Sequence, residues 1–256
     1  MTTTSEDGHD SVDPVIKLGL PSPIILGSGS FTRKLILTEM NIKYNIIVRS
    51  IDEKGLGDRT KDDPSDLVLK LAKAKSKHLV NEIMNGNCCN ERDKKTGNII
   101  HINMEQLKDG TTTNGGYLVL TGDQVVTHNN LILEKPESIK EAKDFVSRYG
   151  QSPPSTVGSC VITHIPSMIQ VSGVDTATIY FHKSIADTKD NKDLIDRLLE
   201  DNAPVLSCAG GLMIEHPYVK KHINYIDGTE DSVMGLSKKL VLELLDELAT
   251  KLTEAK

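Results

Sequence analysis

A small set of charged side chains stands where type and spacing could do chemistry. Asp123 follows Thr121-Gly122 at the end of the apolar run Tyr117 to Leu120. Lys135 precedes Pro136 at the end of a second run, Leu131 to Leu133, beyond a His128-Asn129-Asn130 turn. An acid and a base thus emerge a short loop apart, at strand ends of the kind where open α/β sheets bind ligands. Asp52 and Glu53 follow another apolar segment, Asn45 to Val48. Two such carboxylates can hold Mg²⁺, which takes oxygen ligands and keeps several waters. Lys75 interrupts an apolar helical stripe, and Arg33 falls in the first turn of a helical pattern, where its fork suits phosphate oxygens. Plainer readings exist for each: a surface ion pair on a hairpin, solvated loop acids, a lysine that snorkels along its helix.

The elements that must position them can be read in order. Residues 1–20, with Glu6, Asp7, Asp10 and Asp13, read as a disordered tail, and 21–256 as a single domain, long enough for one full core or for two lobes around a cleft. Pro23 to Leu26 is a short strand running into Gly27-Ser28-Gly29-Ser30. That small-residue turn opens a helix marked by Phe31, Leu35, Ile36 and Met40, with Ser30 as N-cap and free amides that attract anions. Asp63-Pro64 starts a long helix in which Val68, Leu71, Ala72 and Leu79 share a face with Lys75. From about 85 to 116 the composition turns to Asn, Gly, Lys, Asp and Thr, an insertion with room for a hairpin at Ile99 to Ile102. Ser138 and Glu141 form a capping-box pattern for a helix ending at Gly150. Thr156 to Thr163 and Val174 to His182 read as antiparallel strands joined by a turn near Gly173. Asp187 to Asp201 reads as a charged helix, and Pro217 starts a short one beside Glu215. The final helix buries a leucine stripe from Leu240 to Leu252.

Composition sets limits. A net charge of −6 leaves no basic footprint, which argues against a nucleic-acid polymer as partner. No apolar run approaches the roughly 20 residues needed to span a bilayer, so no membrane role is expected. The acidic start, without Arg, argues against a signal or transit peptide, and Cys88, Cys89, Cys160 and Cys208 lack a CxxC spacing. These features fit a cytoplasmic protein with reduced thiols.

Order and spacing of the motifs resemble the Maf family of nucleotide pyrophosphatases, from about Ile24 to Leu240. The family's Ser-x-Ser-Pro-Arg-Arg pattern is matched by Ser28-Gly29-Ser30-Phe31-Thr32-Arg33, with Phe31 and Thr32 replacing the Pro and first Arg. Its Asp-Glu is matched by Asp52-Glu53, and its helical lysine by Lys75 in Leu71-Ala72-Lys73-Ala74-Lys75. Its Gly-x-Asp and Gly-Lys-Pro are matched by Thr121-Gly122-Asp123 and Glu134-Lys135-Pro136. The resemblance implies an α/β fold similar to inosine triphosphate pyrophosphatases, a mixed twisted sheet in two lobes around a central cleft, commonly as a homodimer. It implies hydrolysis of a nucleoside triphosphate between its α and β phosphates, with Mg²⁺ or Mn²⁺. Glu53 and Asp123 would bind metal and activate water, with Lys135 beside them; Ser28, Ser30, Arg33, Lys75 and Lys135 would hold the phosphates.

Two positions bear on the base. Gln124 stands where the pyrimidine-specific branch has Thr, and Glu215 in Ala209-Gly210-Gly211-Leu212-Met213-Ile214-Glu215 stands where that branch has Gln. Both resemble the branch that prefers 7-methyl-GTP. A carboxylate only accepts hydrogen bonds, which suits the two adjacent donors of guanine rather than the mixed edge of uracil. The same Glu215 could instead cap the helix at Pro217. A pyrimidine-directed or broad house-cleaning pyrophosphatase, and a nucleotide-binding regulator of division without turnover, are the competing readings.

Overall fold

The computed structural model describes residues 12–88, 90–92, 99–107, 115–189 and 192–255. The first element is α1 (Pro14–Lys17), capped by the Asp13 side chain, and its Val15 is fully buried in the core. The tail expected through residue 20 is therefore placed from residue 12 onward, because Val15 and Leu20 are buried among core side chains; residues 1–11 lie outside the described residues.

The fold is α/β, with one open sheet of parallel and antiparallel strands. β1 (Ile24–Leu26) leads through the small-residue turn to α2 (Phe31–Glu39) and then to β2 (Tyr44–Ile46). A loop follows, then α3 (Pro64–Met84), where Pro64 takes the first position and Asp63 caps the amides of Ser65 and Asp66. In the expected insertion, β3 (Asn90–Arg92) pairs antiparallel with β4 (Ile99–His101). Ile100, Ile102 and Leu107 are buried in one cluster with Leu79 and Ile83 of α3; residues 89, 93–98 and 108–114 lie outside the described residues.

β5 (Tyr117–Thr121) pairs parallel with β1, which pairs parallel with β2. Its alternating side chains divide between two cores: Leu118 and Leu120 on one face, Val119 on the other with α3. Beyond it come β6 (Gln124–His128), β7 (Leu131–Leu133), α4 (Ile139–Tyr149), β8 (Ser155–Ile165) and β9 (Gln170–Phe181). The β6–β7 hairpin turns on Asn129 and Asn130, both at positive φ, as a two-residue hairpin requires. One edge of the long β8 is shared: Val161 to Ile165 pairs with β5 and Ser155 to Gly158 with β6, while β9 runs along the other edge. β5 and β6 thus lie end to end, and Gly122-Asp123 is the break between them. A Cβ at Gly122 would stand 2.4 Å from the Ser159 carbonyl oxygen, so only glycine passes there.

The strands β8 and β9 do not turn at Gly173. The turn spans Pro166 to Ile169, with Met168 at positive φ, and Gly173 pairs with Cys160 in mid-strand. Its lack of a side chain serves packing: a Cβ there would meet Leu240 at 2.6 Å. Among the described residues, the charged segment from Asp187 is helical as α5 (Leu194–Glu200), started by a capping box between Asp193 and Asp196. After α6 (Pro217–Lys220), an unanticipated edge strand, β10 (Ile223–Asp227), pairs with β9. The short α7 (Glu230–Met234) ends at Gly235, at φ 106°, and α8 (Lys238–Glu254) buries Val241, Leu244, Leu245, Leu248 and Leu252. No helix among the described residues is long and apolar enough to cross a membrane.

Candidate functional site

The β1–α2 turn is drawn tight against β5: the Gly27 amide donates to the Leu120 carbonyl at 2.8 Å, and a Cβ on Gly27 would meet Thr121 at 2.7 Å. Ser30 caps α2 by accepting from the Arg33 amide, and its own amide donates to Ser28 Oγ at 3.2 Å. Arg33 then turns inward. Its Nη1 donates to Ser28 Oγ at 3.2 Å and to the Gly122 carbonyl at 2.9 Å, and its Nε donates to the Gly235 carbonyl at 3.0 Å. One buried guanidinium therefore joins the β1–α2 turn, the β5–β6 break and the end of α7. Burial lowers its pKa, and the Asp123, Cys160 and Glu53 side chains act in the opposite sense. An arginine keeps its charge in such a setting.

The charges converge at that break. Lys75, on α3, places Nζ 2.6 Å from Asp123 Oδ1 and 3.1 Å from Glu53 Oε1. The Lys75 and Asp123 side chains are only 17% and 12% exposed, whereas Glu53, on the β2–α3 loop, is 47% exposed. α3 is held over this end of the sheet by Thr121, whose Oγ1 donates to the Ala72 carbonyl at 2.9 Å. Asp123 is pinned by a residue the sequence reading missed, Ser159. The Ser159 amide donates to the Asp123 carbonyl at 2.9 Å, the Asp123 amide donates to Ser159 Oγ at 3.1 Å, and that hydroxyl donates to the Val68 carbonyl of α3 at 2.8 Å. A serine in the apolar run of β8 was the only signal.

Two carboxylates sharing one ammonium already converge on a common cation position. A hard divalent ion bound through one or two carboxylates, water and substrate oxygens fits that donor set. A site built by protein ligands alone does not: no group of three or more His, Cys, Asp or Glu capable of holding a metal occurs among the described residues.

The other expected residues have different surroundings. Gln124 donates from Nε2 to the Val233 carbonyl at 2.7 Å, and its Oε1 packs against Gly235, where an added Cβ would come within 2.4 Å. It faces α7, whose Val233 packs in one buried cluster with Ile214, the neighbour of Glu215. Lys135 is exposed after β7, separated from Asp123 by the whole β6–β7 hairpin rather than by a short loop. Lys135 and Glu215 both act on Cys208, whose thiol is pushed up to about 11 by burial and by Glu215, with Lys135 opposing. Glu215 is half-buried and does not cap α6. That task falls to His216, whose Nδ1 accepts from the Tyr218 amide at 3.2 Å. Glu215 takes part in none of the hydrogen bonds or ion pairs among the described residues.

The arrangement defines a class: an open α/β sheet with a small-residue turn, buried cations and two carboxylates gathered at the carboxyl ends of its parallel strands. Residues 23–248 match the family described as Maf-like protein, and the chain belongs to the Maf family. A relative from Dictyostelium discoideum named 7-methyl-GTP pyrophosphatase is 30% identical over 227 residues, which cover 89% of this chain and 98% of the relative.

Proposed function

We propose that the chain is a metal-dependent nucleotide pyrophosphatase that hydrolyses 7-methyl-GTP to the nucleoside monophosphate and pyrophosphate. The observation that carries this reading is the Lys75 ammonium held between Asp123 and Glu53 beside the buried Arg33. Such a site combines proton acceptors with fixed positive charge where a phosphoanhydride would develop negative charge. The family and the named relative support the same chemistry.

In this reading Ser28, Ser30, Arg33, Lys75 and Lys135 bind the phosphate oxygens, and the amides of the β1–α2 turn add donors at a helix N-terminus. When bound, Mg²⁺ or Mn²⁺ supplies Lewis-acid polarisation of the phosphates and a more acidic water. Glu53 and Asp123 are the residues that would hold it. Asp123 gives Oδ1 to Lys75, and its other carboxylate oxygen makes none of the hydrogen bonds among the described residues. That oxygen takes the proton of the water adding across the α–β anhydride; the bridging P–O bond breaks and pyrophosphate leaves. Glu215, not engaged in capping, accepts from the paired N–H donors of guanine.

The test is pyrophosphate release with Mg²⁺ across GTP, 7-methyl-GTP, UTP, dTTP, CTP and ATP. The expected result is preference for 7-methyl-GTP, abolished in Asp123→Ala. Preference for UTP or dTTP would overturn the base assignment, and no turnover of any of them would overturn the enzyme.

A further inference from the structure

The β2–α3 loop, which carries Glu53, is shaped from within by an arginine that no motif singles out. Arg59 donates from Nη2 to the Glu53 carbonyl at 2.9 Å, from Nη1 to the carbonyls of Leu56 and Gly57, and from Nε to Glu134 Oε1 at 3.3 Å. Its side chain is 19% exposed, far less than an ordinary surface arginine. The fork geometry of a guanidinium allows one side chain to hold several carbonyls and a carboxylate at once, which lysine does not.

The receiving end is anchored. Glu134 stands where the Gly-Lys-Pro pattern has glycine, directly before Lys135, and its carbonyl accepts from the Gly210 amide at 3.0 Å. Gly210 is itself gripped: its carbonyl accepts from Tyr149 Oη at 2.8 Å, and a Cβ on it would meet that hydroxyl and Val126 at 2.9 Å. Glu134 is therefore a junction between the Glu53 loop, Lys135 and the turn that leads to Glu215. A second link, Lys54 to Glu137 at 3.6 Å, is exposed on both sides and contributes little.

We propose that Arg59 is a positioning residue, which through Glu134 sets Glu53 relative to Lys135 across the site. The proposal rests on the pyrophosphatase reading for its catalytic consequence, but the link itself is testable without turnover. Arg59→Ala, Glu134→Ala and the double variant are compared with the wild type in two ways. The first is hydrogen exchange of the amides of residues 53–58 in the ligand-free protein. The second is 7-methyl-GTP hydrolysis over a range of Mg²⁺ concentration. Arg59→Ala is expected to speed exchange in that segment about tenfold. Its kcat should fall roughly 30- to 100-fold, the size of a misplacement of about 1 Å, and it should need several-fold more Mg²⁺ for half-maximal rate. Glu134→Ala should give a smaller loss, and the double variant should be no worse than Arg59→Ala, since both remove one link. Arg59→Lys, which keeps the charge opposite Glu134, should recover less than half of the exchange protection.

Unchanged exchange and an unchanged Mg²⁺ midpoint in Arg59→Ala would overturn the link, as would effects that multiply in the double variant. A wild type that turns over no nucleotide, together with faster exchange in Arg59→Ala, would instead sink the pyrophosphatase reading and leave the link standing.

Discussion

The two halves of the candidate site are built on opposite plans. At the β5–β6 break, Arg33, Lys75, Asp123 and Ser159 are buried or nearly so, and their polar atoms are tied to several distant elements. Around Cys208, by contrast, Lys135 is exposed and Glu215 takes part in no hydrogen bond or ion pair among the described residues, and both act on the Cys208 thiol only through their charge. Fixed charges in a water-poor setting need no reorganisation when a transition state forms, so the first half suits chemistry. Side chains without protein partners are available to a ligand and can change without disturbing the fold, so the second suits recognition. Substitutions in the first half should therefore change rate and stability together, whereas a substitution of Glu215 in the second should change selectivity and leave stability alone.

The sharpest way to break this comparison is Asp123→Asn. We expect kcat to fall about 10³-fold, within the range for loss of a general base, accompanied by a small loss of stability as Lys75 and Arg33 lose their shared counter-charge. Arg33→Ala comes next. It leaves the carbonyls of Gly122 and Gly235 without their donor, and the urea midpoint should report a loss of about 3–5 kcal/mol, as for breaking a buried charged contact. Glu215→Gln is the counterpart in the second half. Stability should stay within about 0.5 kcal/mol, while the ratio of 7-methyl-GTP to UTP turnover should drop roughly tenfold, the scale of one mismatched hydrogen-bonding group. A stability loss there comparable to that of Arg33→Ala would erase the distinction.

The smallest effect lies outside both halves. His164, buried in β8, donates from Nε2 to the Gly115 carbonyl at 3.0 Å and, as the neutral ring, accepts at Nδ1 from the Ser167 hydroxyl at 2.7 Å. Burial holds its pKa below the ordinary 6.5. The unfolded chain then takes up a proton first as the pH falls. The contribution of neutral His164 is thus complete above pH 6.5 and is lost progressively below it. Urea midpoints at pH 7 and pH 5 should show this loss, and His164→Gln should flatten it. A midpoint that fell equally in His164→Gln would show that His164 is not the source of the acid sensitivity.

Much of the scaffold is local and so was legible. Pro64 after Asp63 started α3, the leucine stripe marked α8, Tyr117 to Leu120 read as a strand, and Ser30 was a recognisable cap, because capping and periodicity depend on residues a few positions apart. The residues proposed for chemistry could be named one by one, through motif spacing. Their partners were not. Lys75 reaches Asp123 across 48 positions, Arg33 reaches Gly235 across 202, and Arg59 reaches Glu134 across 75. Gly173 looked like a turn because glycine serves both turns and close approaches, and only the arrival of Leu240 tells which. That Gln124 donates to the Val233 carbonyl of α7, 109 positions away, was equally out of reach of local pattern. By itself the sequence determined the family and those elements that local pattern marks, α3, α8 and the strand from Tyr117 among them. Which charges share a cation, which are clamped and which stay open to a ligand was decided by tertiary structure, because burial and pairing are properties of surfaces that meet only when the chain has folded.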